Sequence, residues 1–76
     1  MNERNIIGDN VRTLRKKQKL TQEELTAKIQ TLGLDIDRPM LTRIELKKRE
    51  VYDYEALIIS KALNVKIEDL FNKNKL

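Results

Sequence analysis

Apolar residues recur three and four positions apart along nearly the whole chain, and no stretch alternates at period two for long enough to demand a strand. For a chain of 76 residues this pattern leaves a bundle of helices. In the first segment Ile7, Val11 and Leu14 fall on one face, and Leu20 follows to close the core. Thr21 and Glu24 are spaced as a capping box, in which hydroxyl and carboxylate each satisfy an orphan N–H. Leu25, Ile29 and Leu32 continue the apolar face, and Gly33 suits a left-handed stop. Asp37 is a good N-cap for a third helix over about 37–46, whose first turn tolerates Pro39 because no N–H is missed there. Leu41 and Ile44 are its buried positions, with Met40 at the margin. Asp53 is expected to cap a fourth helix with Leu57, Ile58 and Leu63 inward, and Asn64 to take its left-handed stop. A short fifth helix, roughly 67–72, would bury Leu70 and Phe71. The expectation is an all-α, compact five-helix bundle. It forms one domain over 1–76, with its core at about 6–71 and a frayed tail at 72–76.

Residue types absent from the chain remove most catalytic classes. There is neither Cys nor His, so disulfides, Cys- or His-ligated zinc, and imidazole or thiolate catalysis are excluded. Ser60 is the only serine, so no Ser-His-Asp triad can be assembled. Gly8 and Gly33 are too few for a phosphate-cradling loop. Glu23 and Glu24 are adjacent and splay about 100° apart on a helix, a cap rather than an acid/base pair. No catalytic residue, metal, cofactor or small-molecule ligand is expected, and the chain is read as no enzyme. No run approaches the roughly 18 apolar residues of a membrane span, and the first ten residues are polar rather than signal-like. The expected location is the cytoplasm, and the starting Met with a full helix set reads as an entire domain.

Charge is unevenly spread over a net of +4. Residues 1–20 carry +4, residues 21–37 carry −3, residues 38–50 carry +3, and the remainder balances. Two basic blocks around an acidic one suit an anionic partner met by specific faces. Part of that charge would in any case serve as a solubilising surface. The third helix stands out: its exposed face offers Arg38, Thr42 and Arg43, followed by Lys47, Lys48 and Arg49. A helix fits the major groove, where Arg reaches guanine O6 and N7 together. The N-terminus of the second helix, with Gln22 at its mouth, presents free N–H groups that suit a phosphate oxygen. The neighbouring Glu23 and Glu24 argue mildly against a contact there.

These residues carry a resemblance. The stretches IGDNVRTLRKKQKLTQEEL, LTRIELKKR and EALIISKALNVKIEDLF resemble, in order, the helix-turn-helix domain of the phage-repressor-like (Xre/Cro-type) family, over Ile7 to Phe71. The resemblance implies a bundle of the lambda-repressor-like DNA-binding type. Its second and third helices form the helix-turn-helix, and the third is the recognition helix. It implies that Gln22 touches the phosphate backbone and steadies the recognition helix. Arg38, Pro39 and Arg43 would face base edges with Thr42 beside them, and Lys48 and Arg49 would hold the backbone next to Lys47. Arg15 and Glu45 match a partly buried ion pair tying the first helix to the end of the third.

The chain departs from the family pattern in four places. The turn over Gln30–Ile36 is longer than usual, as in a variant branch of the family. Pro39 replaces a hydrogen-bonding side chain and can read only shape or a thymine methyl. Leu46-Lys47 stands where a pair such as Asn-Gly is usual, which would place a non-glycine at positive φ for about 1 kcal/mol. Lys66 replaces a polar cap.

Local alternatives stay open. Arg43 could instead pair with Glu50, Arg38 could meet a phosphate rather than a base, and Tyr52 and Tyr54 read as core edge or subunit contact. The leading functional reading is a sequence-specific double-stranded DNA-binding regulator of bacterial transcription, a repressor or autoregulator. It would act as a homodimer, at least on DNA, upon an inverted repeat, and so associate with the nucleoid. The alternative is an antitoxin-like or adaptor protein-interaction module with secondary DNA binding, marked by an apolar patch around Leu46, Val51, Tyr52 and Leu76.

Overall fold

The computed structural model describes residues 4–72. Within these residues four α-helices follow one another: α1 (Gly8–Lys17), α2 (Gln22–Thr31), α3 (Arg38–Glu45) and α4 (Asp53–Ala62). A single 3₁₀ turn at Ile67–Leu70 completes the order, and no strand occurs among the described residues. The expected fifth helix is therefore one turn only. Leu70 is fully buried as expected, but Phe71 lies past the end of that turn and is 46% exposed. The expected fraying of the tail falls at 73–76, outside the described residues, except for Asn72. Among the described residues no helix is long and apolar enough to cross a membrane.

Helix starts follow the chemistry of their caps. The Thr21 hydroxyl accepts from the Glu24 N–H at 3.0 Å, and the Glu24 carboxylate accepts from the Thr21 N–H at 2.8 Å. The bond from the Thr21 backbone, then the one from its hydroxyl, lowers the Glu24 pKa below the ordinary carboxylate range. Asp37 caps α3 by accepting from the Met40 N–H at 2.9 Å, with Pro39 in the first turn. At α4 the expectation of an Asp53 cap is corrected. Tyr52 occupies the N-cap position, and the Glu55 carboxylate accepts its N–H at 2.9 Å. Asp53 is already helical, so its short side chain reaches only the next N–H, that of Tyr54, at 2.7 Å.

All four helices stop in the same way. The residue after the C-cap turns left-handed: Lys19 (φ 60°), Gly33 (φ 98°), Lys47 (φ 59°) and Asn64 (φ 56°). Two backbone bonds then close each end, for example Lys47 N–H to the Ile44 carbonyl at 3.0 Å and Lys48 N–H to the Arg43 carbonyl at 2.8 Å. Such a double closure satisfies carbonyls the helix leaves open, and an apolar residue just beyond it usually seals against the last turn. Leu20, Leu34 and Val65 occupy that position after α1, α2 and α4 and pack on the core. After α3 the position holds Lys48, which is exposed.

The core draws on every element: Ile7, Val11 and Leu14, Leu25 and Ile29, Ile36, Leu41 and Ile44, Ala56, Ile59 and Leu63, and Leu70. Besides Phe71, two expected core residues are outside it. Leu32 is 46% exposed, because α2 ends at Thr31 and the turn supplies Ile36 and Leu34 in its place. Leu57 is 43% exposed, because α4 turns Ala56, Ile59 and Leu63 inward, and the next residue along a helix points about 100° away. Side chains tie the remaining polar backbone. Gln18 Nε2 donates to the Leu63 carbonyl (2.6 Å), Gln30 Nε2 to Ile36 (2.8 Å) and Asn10 Nδ2 to Leu70 (2.7 Å).

Candidate nucleic-acid interface

The site is built on the packing of α1 and α2 against α3. Arg15 reaches from α1 to the last residue of α3. Its Nε donates to Glu45 Oε2 at 2.7 Å, its Nη2 to Glu45 Oε1 at 3.1 Å, and its Nη1 to the Leu20 carbonyl at 2.8 Å. The two side chains are 10% and 2% exposed. The expected ion pair is thus present, bidentate and buried. Its removal from one side would be costly, since the remaining buried charge would have no opposite charge beside it.

A hydrogen-bonded chain continues outward from that pair. Gln22 Nε2 donates to Glu45 Oε1 at 3.1 Å. Gln22 Oε1 accepts from Arg38 Nε at 3.4 Å and from the Thr42 hydroxyl at 3.2 Å. The Thr42 proton is shared with the Arg38 carbonyl, 3.0 Å away. Gln22 therefore couples the start of α2 to three positions of α3, and the helix is held in rotation as well as in place. No buried side-chain nitrogen or oxygen among the described residues lacks a partner.

The expected contact residues at and beyond the outer end of this chain of bonds separate into two groups. Arg38, Pro39, Arg43 and Lys48 are exposed. Arg38 lies 3.9 Å from Glu23, an exposed pair in high dielectric that restrains it little. Arg43 and Lys48 take part in no ion pair among the described residues, and Glu50, the rival partner for Arg43, is bound to Arg4 at 3.2 Å. Lys47 and Arg49 are not free in the same sense. Lys47 Nζ lies 2.9 Å from Asp9 at the start of α1, and Arg49 makes a two-point contact with the nearly buried Glu55 at 3.1 and 3.3 Å.

Three residues of this arrangement escaped the sequence reading. Asn5 is 1% exposed, accepts from the Gly8 N–H at 2.9 Å, and donates to the carbonyls of Ile44 (2.8 Å) and Arg49 (3.0 Å). Gly8 lies so close to α3 that a Cβ there would collide with the Ile44 carbonyl oxygen. Glu55 fixes Arg49. The Asn5–Gly8 spacing suits a local side-chain cap; the contacts to residues 44–49 leave no local signal.

A second exposed face is apolar. Ile6, Tyr52 and Phe71 line one shallow recess, Tyr54, Leu57 and Ile67 line another, and Asp53 borders both. The Tyr52 and Tyr54 rings stack at 5.8 Å. Hydrogen bonds from Arg4 and then Tyr52 lower the Glu50 pKa, and the Glu50 carboxylate raises that of the Tyr52 phenol. Of the patch expected from sequence, Leu46 and Tyr52 are exposed and Val51 is half-buried, while Leu76 lies outside the described residues.

A helix-turn-helix family model matches residues 11–70. No curated protein and no solved structure matches the chain.

Proposed function

The chain belongs to the phage-repressor-like helix-turn-helix family and is a DNA-binding regulator of that type, and from that premise we propose that it is a sequence-specific repressor or autoregulator that reads double-stranded DNA with α3. One observation carries the reading. The inner face of α3 is locked by the Arg15–Glu45–Gln22–Thr42 chain of bonds, while Arg38, Pro39, Arg43 and Lys48 stand exposed on its outer side and just beyond it. A rigidly aimed helix with an exposed arginine is what base readout requires.

In this reading Arg43 reaches a base edge, Thr42 and Pro39 line the groove, and Arg38 meets a base or the adjoining phosphate. Lys48 binds a phosphate. Lys47 and Arg49 join it only by exchanging Asp9 and Glu55 for phosphate. Gln22 adds a backbone contact where α2 begins. A dimer would set two copies of α3 in successive major grooves about 34 Å apart on an inverted repeat, and occupancy would block transcription. The protein would act in the bacterial cytoplasm, without catalytic activity, cofactor or small-molecule ligand. With roughly six phosphate contacts per dimer, log K would fall against log salt with a slope of about −5.

The test is selection from a random duplex pool, followed by salt titration on the winning sequence. Enrichment of an inverted repeat with a steep salt slope is expected. Binding without enrichment would reduce the function to backbone affinity. The second reading, a protein-interaction module, is favoured by the apolar recesses around Asp53, since exposed apolar patches mark association sites. It would gain if no duplex bound even at about 50 mM salt.

A further inference from the structure

We infer that Asn5 is a positioning residue for the phosphate-binding loop, standing in for the apolar anchor that the end of α3 lacks. The inference rests on the DNA-binding reading above. Three of the four helices seal their left-handed stop with a leucine or valine packed on the core: Leu20, Leu34 and Val65. The equivalent place after α3 is given to Lys48, whose side chain faces solvent. A cation cannot seal against the core without losing its hydration, so this end needs another restraint.

Asn5 supplies it from beneath. Its Nδ2 carries two protons in one plane, and they go to the Ile44 carbonyl at 2.8 Å and the Arg49 carbonyl at 3.0 Å. Those carbonyls lie on either side of Leu46, Lys47 and Lys48. One amide group thus sets the separation of the two ends of the loop. The Asn5 side-chain oxygen, Oδ1, accepts the Gly8 N–H at 2.9 Å, so the staple is itself fixed to the start of α1. The next link is backbone: the Val51 N–H donates to the Arg4 carbonyl at 3.0 Å. With the loop held from its buried side, Lys48 is left to project outward, where the other three helices spend that residue on packing.

The experiment compares Asn5→Ser, Lys48→Ala and Arg43→Ala in the full chain. The probe is the duplex the wild-type protein selects. Serine keeps an acceptor for Gly8 and cannot bridge both carbonyls. Circular dichroism establishes that each variant is folded before binding is read. Asn5→Ser is expected to weaken binding about tenfold and to flatten the salt slope by about two per dimer, as Lys48→Ala does. A merely structural loss would leave the slope of the folded fraction unchanged. In double variants Asn5→Ser should add little to Lys48→Ala and add fully to Arg43→Ala. A folded Asn5→Ser protein with the wild-type slope, or full additivity with Lys48→Ala, would overturn the inference.

If Asn5→Ser does not fold, Lys48→Leu is introduced beside it. Recovery of the fold is expected, because leucine restores the anchor, and failure to recover it counts against the inference. Should the wild-type protein bind no duplex at all, the DNA reading falls separately, and rescue by Lys48→Leu still decides whether Asn5 anchors the loop.

Discussion

The outer side of α3 and the outer side of α4 are built on opposite terms. Around α3 the exposed charged side chains are mainly cationic, Arg38, Arg43 and Lys48, beside the apolar Pro39 and Leu46, and the layer beneath them is a chain of charged, amide and hydroxyl side chains running Arg15, Glu45, Gln22, Thr42. Around α4 the exposed groups include a set of large apolar side chains, Tyr54, Leu57 and, nearby, Tyr52, Ile67 and Phe71, over a layer of Ala56, Ile59 and Leu63. Directional bonds fix the aim of α3 to within hydrogen-bond geometry. Apolar packing holds α4 in place without asking anything of its outward residues. The first arrangement suits a surface that must present a few side chains at set positions; the second suits one that needs only area.

The largest effect separating the two faces should come from Glu45→Ala. It strands the Arg15 guanidinium, 10% exposed, without a counter-charge, leaving it only the Leu20 carbonyl. The expected loss is about 3–5 kcal/mol, against about 4–11 kcal/mol for a whole domain of this length. Chemical denaturation measures it, and a loss under about 1 kcal/mol would mean that the bond chain is not what holds α3. Gly8→Ala comes next. The new methyl meets the Ile44 carbonyl oxygen, so α1 and α3 must separate, at about 1–3 kcal/mol by the same measurement.

On the α4 side Leu57→Ser should change stability by less than about 0.5 kcal/mol, since the residue is 43% exposed. A large loss would show that this face is covered in solution, and sedimentation with and without the substitution would reveal by what. The smallest effect concerns pH. The bonds from Thr21 lower the Glu24 pKa in the fold, so its contribution is present above the unfolded-state pKa and is lost as pH falls through the lower folded value. Melting temperatures from pH 7 to pH 3 should therefore fall slightly more for wild type than for Glu24→Gln. Parallel curves would place the cap's stabilisation elsewhere.

The same contrast explains what was legible in the chain. Around α2 and α3 the signals are local: Thr21 with Glu24, Gly33, and Asp37 before Pro39 each announce a boundary within four residues, and all three are found. Arg15 with Glu45 lies thirty residues apart and was reached through the family resemblance rather than through spacing. Around α4 the periodic reading holds for Leu63, which is buried, and for Ile58, which packs on the core, but not for Leu57; the cap, made by Glu55 acting on Tyr52 rather than by Asp53, spans the same few residues and is a separate miss. The ties of Lys47 to Asp9 and of Asn5 to Ile44 and Arg49 join segments about forty positions apart. No periodicity reports such pairs. They become visible only when α1 is laid against the end of α3, and the Asp9 tie, with the pairing of Arg49 to Glu55, leaves Lys48 as the cation of the loop in no ion pair among the described residues.

The claim that α3 is an aimed reading head is tested most directly at Arg43. Sequences bound from a random duplex pool would be compared for wild type and Arg43→Ala. Both should select the same inverted repeat. The variant should lose about 1–3 kcal/mol of discrimination at one symmetric base pair and keep the rest. An unchanged preference at every position, or a uniform loss of affinity with no relaxed base pair, would place Arg43 outside the groove and contradict it.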